Sequence, residues 1–267
     1  MGAAIKAEIR KLTTTRLWWG MAIGIVVLGA GIATLIASFG GGTSTSDGTP
    51  SETPLERASS VYTSGIGFGY LLLLVIGILT IGTEYRHKTI TSALLATPSR
   101  VRLIGAKITA LLIFGVAYGV LFLVASVGAG GAILAAKGEA VFPEPSTLSR
   151  TLALSLLVLG LWALIGLGLG VLIPNQVAAL LIGVGLAFIV EPIAATILAN
   201  VSWGETASKF FPSSATRAIL SQTQGQNGDG SPVIHVLSWW QGSLVLIAYA
   251  VLFAVIGTLL TKRRDIL

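Results

Sequence analysis

Hydrophobic positions along this chain fall into long blocks, with the polar residues gathered between them. The blocks are Leu17–Phe39, Tyr62–Gly82, Leu103–Ala129, Thr151–Ile173, Val177–Ala199 and Trp239–Thr261. Each is roughly twenty residues long, which an α-helix needs to cross about 30 Å of hydrocarbon. None alternates polar and apolar residue by residue, as a barrel strand must, so all six are expected to be helices. Glycine and alanine are frequent inside them, as in "GLGLG" (166–170) and "IGVG" (182–185). Small side chains let helices approach closely in lipid, where no hydrophobic force drives them together. The expected fold class is an all-α integral membrane protein with six transmembrane helices, residues 1–267 forming one membrane domain.

Composition agrees with the pattern. Of 267 residues, 54% are hydrophobic and only 10% charged, with a mean hydropathy of +0.87; a soluble domain needs more surface charge. The chain has no cysteine, which excludes disulfides and thiolate metal sites. A net charge of +6 would suggest nucleic acid in a soluble protein. In a membrane protein the placement of the charges matters more than their sum, and no nucleic-acid partner is expected.

With both termini in the cytoplasm, that face holds Lys6, Arg10, Lys11, Arg16, Arg86, Lys88, Arg100, Arg102, Lys107, Lys262, Arg263 and Arg264. The other face holds Arg57, Lys137, Arg150, Lys209 and Arg217, the remaining five of the 17 basic residues. The positive-inside rule therefore predicts a multi-pass protein of the cell membrane with N and C termini cytoplasmic. The first block is too long for a signal-peptide core, and no small-residue cleavage site follows it. Trp18, Trp19, Trp239 and Trp240 sit at block ends, where indole favours the membrane–water boundary.

The loops differ in kind. Residues 40–54 read as a flexible Ser/Thr/Gly-rich external loop, and "IPNQ" (173–176) as a tight turn. In the long external segment 200–238, Ser213 or Ser214 is expected to cap a short amphipathic helix within "KFFPSSATRAIL" (209–220).

The most informative loop is "TEYRHKTITSALLATPSR" (83–100), a polar insert between two apolar blocks. Thr83 is expected to cap a helix whose first turn holds Glu84, and Pro98 to mark its end. Glu84–Thr97 would then make a rod about 20 Å long on the cytoplasmic side. The N-terminal stretch "IKAEIRKLTTTRLWW" (5–19) places Ile5, Ile9 and Leu12 at helical spacing beside Lys6, Arg10 and Lys11. It reads as a helix along the membrane surface. On physics alone, both segments suit lipid anchoring and partner docking equally well.

The insert "EYRHKTITSALLATPSRVRLIGAK" resembles the segment after the second span in type-2 permeases of ATP-binding cassette (ABC) exporters. The match lies at Glu84, Tyr85, Arg86, Thr89, Ile90, Leu95, Thr97, Pro98 and Arg100. The six-block layout, the basic N-terminal segment and, more loosely, "FPSSATRAIL" extend the likeness along the chain. The resemblance implies that the insert is a coupling helix in a cleft of the nucleotide-binding subunit, with Leu94 among its contacts. It also implies that the N-terminal helix connects the ATPase to the first span. Implied partners are two copies of an ABC ATPase, a second permease subunit (a second copy or a sister chain) and membrane lipid. The implied activity is export of a hydrophobic or amphipathic compound, such as a drug, peptide antibiotic or lipid.

No P-loop pattern, Gly-x4-Gly-Lys-Ser/Thr, occurs in the sequence, so ATP and Mg are expected on the partner ATPase, with no cofactor on this chain. His87 and His235 fall on opposite sides of the membrane in this topology, which leaves neither a metal site nor a Ser/His catalyst. Glu191 is the one acid inside a block. A charge at mid-depth costs about 2.5–3.5 kcal/mol, so it faces protein or water, either on a translocation path or gate or at a helix break. The following Pro192 and the nearby outer boundary favour the break. The rival functions are an ion-coupled secondary transporter, with Glu191 as its only candidate ion site, and a non-transporting membrane anchor for a cytoplasmic partner.

Overall fold

The computed structural model describes residues 2–40, 52–87, 100–201, 203–220 and 237–263, and among these every regular element is helical. In chain order they are α1 (Gly2–Thr14), α2 (Leu17–Phe39), α3 (Pro54–Thr63), α4 (Ile66–Arg86), α5 (Arg100–Ala136) and α6 (Pro145–Leu172). These are followed by α7 (Gln176–Gly185), a π-helical turn (Leu186–Val190), α8 (Glu191–Leu198), α9 (Gly204–Ser208), α10 (Pro212–Ile219) and α11 (Trp239–Arg263). Among the described residues, six helical stretches are long and apolar enough to cross a membrane: α2, α3–α4, α5, α6, α7–α8 and α11.

The spans are not equivalent. In the most apolar window of each, 72% of the α3–α4 residues and 67% of the α6 residues are buried, against 17–33% in the other four. Helices α4 and α6 are thus a central pair; α5, α7 and α11 pack on it, and α2 packs chiefly on α5. The glycines explain the pairing. A Cβ on Gly77 would overlap the Ala163 carbonyl oxygen, and one on Gly166 would overlap that of Leu74, so the two backbones touch. The "GLGLG" run serves two neighbours: Gly166 and Gly170 face α4, while a Cβ on Gly168 would lie 2.6 Å from the Phe253 Cβ of α11. Close backbone approach by small residues is how helices associate without a hydrophobic drive.

Contacts also fix which ends lie together. Gln176, after the α6–α7 turn, packs on Gly82 near the end of α4, and that end meets α1 through ion pairs described below. Helix α11 runs parallel to α6, since the Arg150 guanidinium lies 5.1 Å over the Trp239 ring while Gly168 meets Phe253. The last described residues therefore share an end with α1. The α6–α7 turn is as expected, with the Asn175 side chain accepting from the Val177 and Ala178 N–H groups, both at 3.1 Å.

Before α4, Thr53 and Glu56 form a capping box that starts α3, which packs beside α2 and α5 at the end opposite α1. There Arg57 pairs with Glu139 at 3.0 Å and donates to the Ala37 carbonyl at 3.0 Å, while Tyr62 donates to the Val141 carbonyl at 2.6 Å. Two expectations need correction. Thr83 caps no new helix, because α4 runs on to Arg86 and the Thr83 hydroxyl donates to the Leu79 carbonyl of its own turn at 2.7 Å. Glu84 therefore closes a helix rather than opening one. Neither Ser213 nor Ser214 caps α10; its N-cap is Phe211, with no side-chain bond from that residue.

Candidate functional site

Helix α1 presents Ile5, Ile9 and Leu12 half-buried, while Lys6 and Arg10 are exposed, as their spacing predicts. Glu8, one turn from Leu12 and on the packed side, is only 4% exposed. It faces Lys107 in the early turns of α5, a side chain with 1% exposure, and Glu84 in the last turn of α4 with 8%. Lys107 Nζ lies 2.8 Å from Glu8 Oε2 and 2.6 Å from Glu84 Oε1. Lys11 closes the ring from the outside, 2.8 Å from Glu8 Oε1 and 2.9 Å from Glu84 Oε1. Two carboxylates and two ammoniums alternate, so the ring is neutral as a unit.

Burial of ions is costly, and the attraction repays it only with good geometry and further hydrogen bonds. Here each ammonium donates to two carboxylates, although Glu84 Oε2 has no hydrogen-bond partner. Burial alone would raise the pKa of Glu8, but the Lys107 and Lys11 ammoniums outweigh it and hold the carboxyl below its ordinary 4.5. Burial would lower that of Lys11, yet Glu8 and Glu84 hold the amine above its ordinary 10.5. The ring joins three elements distant in sequence: the surface helix α1 and the two helix ends flanking residues 88–99.

Of the predicted coupling residues, the structure separates Glu84, buried under α1, from Arg86, which is exposed; Tyr85 is half-buried between them. His87 is exposed, as expected of a solvated residue. Thr89, Ile90, Leu94, Leu95, Thr97 and Pro98 lie outside the described residues, and Arg100 is the first residue of α5. Sequence reading missed the ring itself. Its signals were an acid in the apolar stripe of α1 and a lysine inside the third block, each of which demands a partner.

At the opposite end, Glu191 opens α8 directly after the π-helical turn. Its Oε2 accepts the Ser213 backbone N–H at 2.9 Å, so the cap that local serines do not supply comes from the fifth span. Thr216 of α10 accepts from Trp162 Nε1 at 2.8 Å, and that indole stacks on Tyr70 with centroids 4.1 Å apart. Among the described residues, no group of three or more His, Cys, Asp and Glu could hold a metal.

Residues 4–191 match the family model described as ABC-2 family transporter protein. The chain belongs to that family. The matched stretch runs from α1 to Glu191 and includes all four members of the charged ring. The protein is thus an ABC-2 permease, a multi-pass membrane subunit of a transporter family whose ATPase is a separate subunit. No curated protein matches the chain.

Proposed function

We propose that this permease exports a hydrophobic or amphipathic compound, driven by two copies of an ABC ATPase docked beneath residues 88–99 and α1. The observation that carries the reading is Lys107, held between Glu8 and Glu84 at 2.8 and 2.6 Å. Through it, α1 and both roots of the insert form one body. Arg86, exposed at the start of the insert, offers a cation to the ATPase, with Thr89, Ile90, Leu94, Thr97, Pro98 and Arg100 completing the docking surface. When the ATPase dimer closes, the insert moves, and the ring passes that movement to α4 and α5 rather than letting α1 slip.

The sequence's twelve-to-five split of basic residues between the two sides of the expected topology supports a cytoplasmic α1 end. The open apolar faces of α2, α7–α8 and α11 suit lipid and a second permease subunit, a second copy or a sister chain. An ion-coupled mechanism is less well served, because Glu191 already accepts a backbone N–H.

Tagged protein purified from its native membrane should carry a P-loop ATPase in equal amount. Changing Arg86→Glu with Leu94→Asp should remove the ATPase. Lys107→Met should keep it bound but abolish ATP-dependent uptake of a fluorescent amphipathic dye into inverted vesicles. Purification without any ATPase, or termini open to protease on intact cells, would overturn the reading.

A further inference from the structure

The fifth span has an irregularity that neither lipid contact nor ATPase docking explains. Its inward stripe is Ala179, Gly183, Ala187 and Glu191, a step of four residues each time. In a straight α-helix three such steps rotate the last member about 120° away from the first. The π-helical turn at Leu186–Val190 winds more slowly and takes most of that rotation back, and such turns recur at functional positions. It aims the carboxylate of Glu191 at α10.

What Glu191 holds there is a short helix whose Ala215 and Ile219 are buried in the core. Helix α10 begins with Pro212, which has no N–H, so Ser213 supplies the first free donor, and Glu191 takes it at 2.9 Å. On its other side α10 rests on α11, where a Cβ on Gly242 would lie 2.7 Å from the Ala215 carbonyl oxygen and 3.3 Å from Ala218 Cβ. The Trp162–Thr216 bond adds a second hook, from α6. Thus α10 touches the fourth, fifth and sixth spans at the end away from the ring, and its polar hold on the fifth is Glu191, which bonds both the N–H and the side chain of Ser213 and lies near the Arg217 cation.

We propose that Glu191 is a positioning residue that latches α10 across the far end of the bundle, and that this bond opens and re-forms in each transport cycle. The second half of the proposal rests on the ATPase-driven reading above. Opening frees α10 from the fifth span while Trp162 and α11 keep it tethered, so it swings rather than leaves. Glu191 thereby acts as a gate residue and does not bind cargo.

The absence of cysteine makes the test direct. Ala218, 3% exposed against α11, becomes the only thiol through Ala218→Cys, and its labelling by a membrane-impermeant maleimide is timed in lipid nanodiscs. Losing the acceptor altogether means that Glu191→Leu should speed labelling about tenfold, while Glu191→Gln, which keeps an acceptor, should show a smaller rise than the leucine variant. Should the leucine variant not fold, Glu191→Asp, one methylene shorter, should show the same direction. Equal rates in the parent and in the Leu or Asp variants would overturn the latch. With the ATPase bound and hydrolysing ATP, the parent's rate should rise severalfold and that of Glu191→Leu should stay high throughout. A flat parent rate despite hydrolysis defeats the proposed cycle of opening. Failure to capture any ATPase defeats the transporter reading instead and leaves the nucleotide-free comparison to decide the latch.

Discussion

Replacing Lys107 with methionine removes the cation at the centre of the charged ring while keeping its length and apolar stem. The side chain is 1% exposed, and its two partners are 5% and 8% exposed, so water cannot stand in for the lost charge. Leaving a buried ion without its partner costs about 3–5 kcal/mol. Lys11 still reaches both glutamates but is itself half in solvent, so the expected loss lies near the lower figure, about 3 kcal/mol. The triple change Glu8→Gln, Glu84→Gln, Lys107→Met removes the three buried charges together and leaves only Lys11, which is half in solvent. Wholly apolar or neutral replacements of buried ion clusters are often close to neutral, so the triple variant should recover to within about 1 kcal/mol of the parent. Reversible denaturant titration in mixed micelles, followed by tryptophan fluorescence, measures each variant. A single variant as stable as the parent, or a triple variant as damaged as the sum of its parts, would refute the account of the ring as one neutral unit.

Further outcomes follow from the same geometry. Glu8 has a lowered pKa, so its contribution is present above pH 4.5 and lost as pH falls through its folded value. Lys11 has a raised one, so its contribution is present below pH 10.5 and lost as pH rises through its folded value. Thermal stability should therefore form a plateau between these limits, and Glu8→Gln should flatten the acid limb. Gly77→Ala or Gly166→Ala forces the α4 and α6 backbones apart and should cost about 1–3 kcal/mol or prevent folding. Gly160→Ala, whose new methyl would meet Leu112 Cδ2 at 3.6 Å, should express and melt as the parent does. Thr53→Ala breaks the capping box with Glu56 and should weaken α3 by about 1 kcal/mol, seen as faster hydrogen exchange across residues 54–63.

Much of the fold was legible because lipid imposes a single rule, a run of some twenty apolar residues, and the six blocks obey it. What periodicity cannot show is how far a helix outruns the hydrocarbon. Helix α4 carries on through Glu84, so a threonine and an acid that look like a helix start are in fact a helix end. The Thr53–Glu56 pair was readable as a start but lay in what looked like a featureless loop. The N-terminal helix was legible from Ile5, Ile9 and Leu12. Its partner was not, because pairing Glu8 with Lys107 requires knowing which helices adjoin. Likewise Ser213 looked like its own cap, and only the tertiary structure reveals an acceptor 22 residues away.

The glycine crossing of α4 and α6 has a mechanical consequence. Gly77 stands seven residues before Glu84 and seven after Tyr70, about 10 Å of helix either way and nearly on one face. Where two backbones touch, neither can translate through the other, but each can pivot. A tilt of α4 that displaces Glu84 by about 1 Å therefore shifts Tyr70 about 1 Å in the opposite sense, across the Trp162 indole that α6 holds against it. The helix is an equal-armed balance, with the charged ring in one pan and the aromatic support of α10 in the other.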